Sequence, residues 1–424
     1  MNAAKGSFAR GLLIFSAFAL AFFMSYGLRA INAVLAPDLV AAFSLSAGDL
    51  GAMSSAYFVA FSAMQLPLGI WLDRFGSRRV EASLLLVAAL GCGFFALGDQ
   101  IAHLWLGRAL IGAGMAACLM AALKAFRFWF AAHWQQRLAA WILVCGTSGA
   151  LVSTVPVAML AQAYGWRMCF VLAAGLLLAC SAYLWLALPR DEEEAASKHA
   201  ATKPQGERDQ GYREIFASRF LRGAMPSLVL FQGGFLALQT LWAGPWMTQV
   251  LKLNASDTAQ ALVLKLNAND TAQALMLFNA ALLLGFLWLG WAAPKIAARG
   301  WDGPKVMRLA ALLTLLTEAA MIYFLQSWAW VFWLLLAAIS TVFTLLQTEV
   351  ALSFPARLGG RAYTGSNLLL FGGVFFLQWG FGALIDAAGL LGATTVQSFQ
   401  IAMALLMVLQ VLSLLPLRSQ AAKS

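Results

Sequence analysis

Twelve apolar runs of about 20 residues follow one another along this chain of 424 residues, and each is long enough for a helix to cross a bilayer. A helix suits that environment because it satisfies its backbone hydrogen bonds internally. Only 11% of the residues are charged, against about 25% in a water-soluble domain. We therefore predict an all-α polytopic membrane protein with twelve transmembrane helices. The predicted spans are 11–36, 49–72, 80–98, 104–123, 138–161, 168–189, 223–246, 271–292, 306–326, 329–352, 363–386 and 395–417.

The basic residues predict how these helices are oriented. If both termini face the cytoplasm, 23 of the 28 Lys and Arg residues fall in cytoplasmic connections or tails, as the positive-inside rule requires. Basic residues placed between apolar runs indicate membrane topology and not a nucleic-acid-binding face. We expect a multi-pass, monomeric protein of the bacterial inner membrane with both termini in the cytoplasm.

The longest polar stretch divides the spans into six and six. Residues 190–222 open with four acidic residues and continue with mixed charges, a composition too polar to pack. We predict an N-terminal six-helix bundle over 1–189, a cytoplasmic linker over 190–222 and a C-terminal six-helix bundle over 223–424. The alternation of apolar and basic residues from Tyr212 to Arg222 predicts a short amphipathic helix on the cytoplasmic surface.

Residues 250–262 recur almost unchanged as 263–275. Two copies are too few for a repeat architecture, which needs at least about three. We interpret them as a tandem duplication in an external loop, where insertions are tolerated.

The most informative motif follows the second span. It reads Gly69-Ile70-Trp71-Leu72-Asp73-Arg74-Phe75-Gly76-Ser77-Arg78-Arg79. Gly69 allows close approach of helices, and Gly76 permits a tight turn. Asp73 precedes the third span, where a helix N-terminus favours a carboxylate. Arg74, Arg78 and Arg79 are expected to hold the loop at the cytoplasmic surface.

This pattern resembles the signature loop of the major facilitator superfamily, and the twelve spans in a six-plus-six arrangement extend the resemblance over the whole chain. A degenerate copy lies 221 residues later, where Gly290, Lys295 and Arg299 match Gly69, Arg74 and Arg78. The resemblance implies two six-helix bundles and a secondary transporter. It also implies alternating access around a midplane cavity lined mainly by helices one, four, seven and ten.

Helix one carries the leading candidate for substrate binding. Tyr26, Arg29 and Asn32 recur every three residues and form one polar face. A charged side chain within a span raises the free energy of membrane insertion by at least about 2.5 kcal/mol, so its presence indicates a functional or structural role. Arg29 either faces the cavity and holds an anionic group, or extends to the outer interface or pairs with Asp38.

Helices seven and eleven carry uncharged polar faces in which amides alternate with aromatic residues. Because amides facing lipid would be costly, these faces should point inward, where a small ligand needs apolar walls and a few polar groups. The alternative is packing. The candidates for substrate contact are Gln239, Trp242, Asn367 and Gln378.

The remaining embedded charges are candidates for coupling or gating. Arg108 in helix four is expected either to take part in proton coupling, as the resemblance suggests, or to pair structurally. Glu318 in helix nine is a candidate coupling carboxylate. Glu349, near the inner end of helix ten, is expected to pair with Arg357 or Arg361. Asp386 is expected to be solvated.

Taken together, these features predict a secondary transporter that moves a small organic anion with protons. The chain also resembles, more loosely, bacterial permeases for small organic anions, including sugar phosphates and carboxylates. This resemblance rests on Arg29 with Asn32, on 37–39, on 55–58, and on Gly360-Arg361 before Asn367. Two alternatives remain: a proton-coupled exporter of amphipathic drugs, and a non-transporting membrane receptor. The His and Cys residues lack metal spacing, and no phosphate-binding loop is present, so we expect neither an enzyme nor a cofactor.

Overall fold

The computed structural model describes residues 8–190, 213–253, 270–301, 303–354 and 356–415, and within these ranges all regular structure is helical. We number the helices α1 to α12 by membrane span. They are α1 (Phe8–Phe43), α2 (47–75), α3 (77–97), α4 (Ile101–Met115 and Cys118–Trp129), α5 (Ala132–Val152 and Val155–Tyr164), α6 (Trp166–Ala187), α7 (Arg219–Val250), α8 (Asp270–Ala298), α9 (Gly303–Tyr323), α10 (Ser327 to Leu352), α11 (Ala356–Leu390) and α12 (Thr395–Ser413).

Gly76 separates α2 from α3. The helical run Ala47–Leu97 has 51 residues, which would extend about 75 Å and more than cross a bilayer of about 30 Å of hydrocarbon. At Gly76 the backbone takes φ 78° and ψ 165°, a conformation that L residues with a Cβ rarely adopt. The structure has eleven helical runs long and apolar enough to cross a membrane within the described ranges. Because Ala47–Leu97 contains two crossings, the prediction of twelve transmembrane helices is confirmed.

Four helices depart from regular α geometry. α4 is interrupted at 116–117, and α5 at 153–154, just before Pro156. α10 contains two short 3-10 turns, at Ser327–Trp330 and Thr341–Phe343. α7 contains three π-helical segments, at Leu228–Gly233, Leu238–Trp242 and Trp246–Val250. Such segments frequently mark functional regions inside membrane and soluble helices.

Two sequence predictions fall mainly outside the described residues. The linker lies outside them from 191 to 212, and the duplicated segment lies outside them from 254 to 269. Residues 213–217 form a short helical stretch before α7. Its Ile215 is buried in a cluster with Val350 of α10 and Ala362 of α11.

The first six and last six helices pack closely at one end, which we call the Asp386 end; the opposite end is the Gly76 end. Small residues permit this approach. A Cβ on Gly51 of α2 would lie 2.8 Å from the Gln378 carbonyl oxygen of α11, and a Cβ on Gly244 of α7 would overlap the Ala33 carbonyl of α1. Backbones that approach so closely leave no room for water, so the two sets of helices are sealed together at this end.

Candidate functional site

Arg29 of α1 lies in a cage of aromatic rings. Its guanidinium carbon, Cζ, is 4.9 Å from the ring centre of Tyr26, 5.8 Å from Tyr57, 5.3 Å from Phe61 and 5.4 Å from Phe371. Three of these rings come from α1 and α2, and Phe371 comes from α11. Each ring face attracts a cation within about 6 Å. Arg29 therefore lies where the first and the last six helices meet.

The positive charge of Arg29 has no anionic partner among the described residues. Its side chain is 6% exposed, Nε has no hydrogen-bond partner, and the ion pairs found there involve other residues. Asp38 follows nine residues later on the same helix, about 13 Å along the axis. The structure thus excludes an Arg29–Asp38 ion pair and an arginine extended to the surface. Arg29 is a buried cation inside the helix assembly.

Tyr57 of α2 lies between Arg29 and a second buried arginine, Arg108 of α4. The Arg108 Cζ is 5.2 Å from the Tyr57 ring centre. Arg108 Nη1 donates a hydrogen bond of 2.9 Å to the carbonyl of Leu28, the residue before Arg29. Arg108 is fully buried, and its Nε and Nη2 have no partner in the described structure. The sequence-predicted Arg108 therefore positions the α1 backbone directly beside Arg29.

Asn32 completes the polar face predicted on α1. Its Nδ2 donates to Ser54 Oγ of α2 at 3.0 Å, while its Oδ1 is buried without a donor. Tyr26 packs edge-on against Phe22, with 5.0 Å between ring centres. Arg29 thus lies over the ring of Tyr26, and Asn32, three residues later on α1, bonds to α2. The role of these three residues in substrate binding stays a prediction.

Each predicted amide of the last six helices bonds to a polar side chain of a neighbouring helix. Gln239 Nε2 of α7 donates to Asn279 Oδ1 of α8 at 3.0 Å. Gln378 Nε2 of α11 donates to Thr240 Oγ1 at 3.0 Å, and Asn367 Oδ1 accepts a hydrogen bond from Gln347 Nε2 of α10. These bonds tie α7, α8, α10 and α11 together in pairs.

Trp242 lies in the sealed Asp386 end. Its Nε1 donates to the Gln378 carbonyl at 3.0 Å, and its ring centre is 5.2 Å from Phe381 and 6.1 Å from Phe399. The structure therefore places Trp242 against α11 and α12, and places Asn367 one helical turn from Phe371 of the Arg29 cage.

The two predicted carboxylates of the last six helices occupy different places. Glu318 of α9 is buried, and its Oε1 accepts a hydrogen bond of 3.1 Å from Gln410 Nε2 of α12. Glu349 of α10 lies against Gly303 at the start of α9. The side chains of Arg357 and Arg361, its predicted partners, lie outside the described residues.

The loop around Gly76 connects four helices, α2, α3, α4 and α6. Asp73 Oδ1 accepts a hydrogen bond of 2.9 Å from Lys124 Nζ of α4, and Arg74 Cζ is 5.2 Å from the Phe75 ring. Gly69 lies on α2 before the loop, and Arg79 is exposed on α3. Arg78 is buried, and its Nη1 donates to the carbonyls of Trp185 and Leu188 at 3.0 and 2.8 Å. Arg78 thereby satisfies carbonyls that the end of α6 leaves unpaired.

Sequence reasoning missed one buried charge. Glu81 of α3 is 0% exposed, and neither carboxyl oxygen has a nitrogen or oxygen donor in the described structure. It follows two arginines of the signature loop by only a few residues, so it resembles a surface charge at a membrane interface. The signal that could have found it is helical spacing: Glu81 lies four residues from Ser77 and Leu85, which are also buried.

Comparison with known proteins agrees with this architecture. Residues 17–377 match the family model described as Major Facilitator Superfamily. The Hexuronate transporter of Escherichia coli (strain K12) is 29% identical over 173 residues, 40% of this chain and 40% of that protein. The Galacturonate transporter of Dickeya chrysanthemi is 26% identical over 178 residues, 41% of this chain and 51% of that protein. The chain thus spans about half or less of the curated relatives it matches.

A solved structure has the same fold. A bacterial homologue of the human lysosomal transporter Spinster, in an inward-facing and unoccupied conformation, superposes with a TM-score of 0.74 at 16% identity over 96% of both chains. Twelve apolar helices in the described ranges, with the Gly76 loop, define a multi-pass membrane protein. The chain belongs to the Major Facilitator Superfamily, as its signature loop indicated.

Proposed function

We propose that this protein is a secondary transporter of small, hydroxyl-rich organic anions, of the sugar-acid class, and that Arg29 binds the carboxylate. The observation that carries this proposal is the aromatic cage, which holds Arg29 in the interior without any counterion among the described residues. A guanidinium forms strong paired hydrogen bonds with a planar carboxylate. An anionic ligand would therefore supply the partner that the protein does not.

Unpaired acceptors favour a ligand with hydroxyl groups. The buried oxygens Asn32 Oδ1, Gln65 Oε1 and Gln232 Oε1 have no donor in the described structure. An amide oxygen accepts hydrogen bonds and cannot donate them. A sugar hydroxyl donates, whereas an apolar group would leave these oxygens unpaired at a cost of about 1–3 kcal/mol each.

The relatives support the same class of ligand. Two of them are named for hexuronate and galacturonate, which are hydroxylated carboxylates. A drug exporter finds no support in the comparisons, and the same holds for a non-transporting receptor. We assign Tyr26, Arg29 and Asn32 to the substrate; contacts from Gln239, Trp242, Asn367 and Gln378 stay predictions.

Alternating access by movement of two six-helix bundles fits the seal at the Asp386 end. With the topology that the basic residues predict, that end faces away from the cytoplasm, so the structure is closed on the outside. We further propose that the protein is a monomer of the bacterial inner membrane, with cytoplasmic termini, and that protons drive transport as symport.

Uptake of radiolabelled D-galacturonate into proteoliposomes tests the proposal. Arg29→Ala should reduce uptake at least tenfold, while Arg167→Ala should retain it. Arg167 is a matched control because it also lies over an aromatic ring, 4.3 Å from Trp166, but is exposed. Uptake by Arg29→Ala equal to that of the unmodified protein would overturn the proposal, provided that both variants elute as single species and melt alike.

A further inference from the structure

Glu81 is a buried carboxyl group of α3, and like Arg29 it belongs to the first six helices. It lies five residues past Gly76, about 7–8 Å along α3 from the turn. It is completely unexposed, and no nitrogen or oxygen donor in the described ranges bonds to either carboxyl oxygen. Neither the comparisons nor the signature loop accounts for a carboxyl group at this place.

The groups that face Glu81 connect it to the Arg29 site. The thiol of Cys118 on α4 lies beside its carboxyl group, and the thiol of Cys180 on α6 is close enough to interact with its charge. Cys118 also lies beside Ser25 of α1 and interacts electrostatically with Arg29 of the same helix. Ser25 is one helical turn from Arg29 and is itself buried without a partner. A short row of small polar groups therefore separates the carboxyl from the guanidinium.

The nearby basic residues bind elsewhere. Arg78, on the same helix, donates to backbone carbonyls at the end of α6. Lys124 of α4 pairs with Asp73. Among the described residues no basic group lies within ion-pair distance of Glu81. A carboxylate ion in such surroundings would have neither water nor a basic group to compensate its charge, and these surroundings favour the protonated carboxyl group.

We propose that Glu81 carries the coupling proton of this transporter. The inference rests on the proposed function, because it requires an anion at Arg29. When a proton from water joins the Glu81 carboxylate, one O–H bond forms and the local negative charge disappears. The positive charge of Arg29 is then uncompensated, and the site attracts an anion. Loss of that proton to water restores the carboxylate, which weakens the hold of Arg29 on its ligand.

This arrangement links the two binding events in both directions. If protonation of Glu81 strengthens anion binding, anion binding strengthens protonation by the same factor. Because Glu81 is sealed from water here, its proton can leave only after a conformational change. An occluded proton that travels with the anion is what symport requires.

Glu81 differs from the other two embedded carboxyl groups. Glu318 accepts a hydrogen bond from Gln410 and lies between α9 and α12, away from α1. Glu349 lies against the first residue of α9. Of the buried carboxyl groups in the described ranges, Glu81 is the one whose neighbours also face Arg29.

The test separates exchange from proton-driven uptake. Purified protein in proteoliposomes is assayed with radiolabelled D-galacturonate in two ways: exchange without any gradient, and uptake driven by an alkaline interior. Glu81→Gln imitates the protonated state permanently. It should keep exchange within about twofold and lose proton-driven accumulation at least tenfold. Internal pyranine should report proton entry with the unmodified protein and none with Glu81→Gln.

Binding measured against pH provides a second readout. The affinity of the unmodified protein for D-galacturonate should fall at least about fivefold as pH rises, and Glu81→Gln should keep the acid-side affinity throughout. Glu81→Asp, which retains a carboxyl group, should retain accumulation and so exclude a folding defect as the cause. Asp99→Asn removes an exposed carboxylate and should behave like the unmodified protein.

Three outcomes would overturn the inference. If Glu81→Gln still accumulates D-galacturonate with proton entry, Glu81 is not the coupling group although Arg29 still binds the anion. If Glu318→Gln abolishes proton entry while Glu81→Gln preserves it, coupling belongs to the last six helices. If the unmodified protein shows neither exchange nor binding of D-galacturonate, the proposed function fails and this inference fails with it.

Discussion

The Asp386 carboxylate of α11 accepts a hydrogen bond of 2.7 Å from the backbone amide of Gly48, in the first turn of α2. Its other oxygen accepts a bond of 3.0 Å from the amide of Ala47. A helix N-terminus carries partial positive charge and unpaired amides, so Asp386 completes α2 from the opposite set of helices. The expectation that Asp386 is solvated was wrong, because it considered α11 alone.

Removing this carboxylate should loosen the seal. We expect Asp386→Asn to shift the equilibrium toward a form open at the Asp386 end, because charge-assisted hydrogen bonds to backbone amides contribute about 1.5–3 kcal/mol. A single cysteine placed at Ala33 in a background without native cysteines should then react with a water-soluble maleimide about tenfold faster. Asp49→Asn, which alters a cap within α2 itself, is the control; an unchanged rate for Asp386→Asn would refute the role of the seal.

Close packing of α2 on α4 depends on Gly112. A Cβ at Gly112 would overlap the carbonyl of Tyr57, whereas a Cβ at Gly93 of α3 would meet nothing within 4 Å. We expect Gly112→Ala to lower the melting temperature in detergent and to weaken anion binding, because Tyr57 contacts both Arg29 and Arg108. Gly93→Ala should be neutral or slightly stabilising, by up to about 1 kcal/mol. Equal melting temperatures for the two variants would contradict the packing described here.

The two adjacent arginines of the signature loop should have unequal effects. Arg78 is buried and donates to two carbonyls of the α6 end, while Arg79 is exposed. Arg78→Ala should destabilise the protein by about 2–3 kcal/mol, since it leaves buried acceptors unpaired. Arg79→Ala should change stability by less than about 0.5 kcal/mol. Thermal unfolding of both variants measures the difference between their stability losses. If the loop acted only through its positive charge, the two variants would lose the same stability.

The orientation predicted from Lys and Arg can be measured in intact cells. Cysteines placed at Asp99 and Arg79, in a background without native cysteines, lie at opposite ends of α3 and are exposed. An impermeant maleimide added outside should label the cysteine at Asp99 and not that at Arg79. After permeabilisation both should react. If only Arg79→Cys were labelled in intact cells, the orientation of the protein would be the opposite of the predicted one.

Local features of the chain predict its helices well. The apolar runs are long and uninterrupted, so each helix can be predicted from its own residues, and the structure keeps their order. Gly76 likewise acts locally, because its positive φ is decided by the absence of a Cβ. Some helix ends differ from the predicted ones: α1 continues through Pro37 to Phe43, and α11 begins at Ala356 rather than at 363.

The candidate site was predicted less completely because it depends on contacts between helices. The spacing of Tyr26, Arg29 and Asn32 correctly placed all three on one face. It could not show that Phe371, more than 300 residues later, would lie over the same guanidinium, or that Arg108 would bind the Leu28 carbonyl.

The sequence by itself determined the class of fold, since bilayer thickness and backbone hydrogen bonding leave an apolar chain few alternatives. It also determined that the charge of Arg29 lies within a membrane span, where its insertion is unfavourable and indicates a functional role. Only the tertiary structure decided which charges are paired. Glu81 and Glu318 are both buried acids, yet Glu318 accepts a hydrogen bond from the amide of Gln410, whereas Glu81 has no nitrogen or oxygen donor within the described residues. That difference arises from helix packing, in which residues far apart in sequence meet.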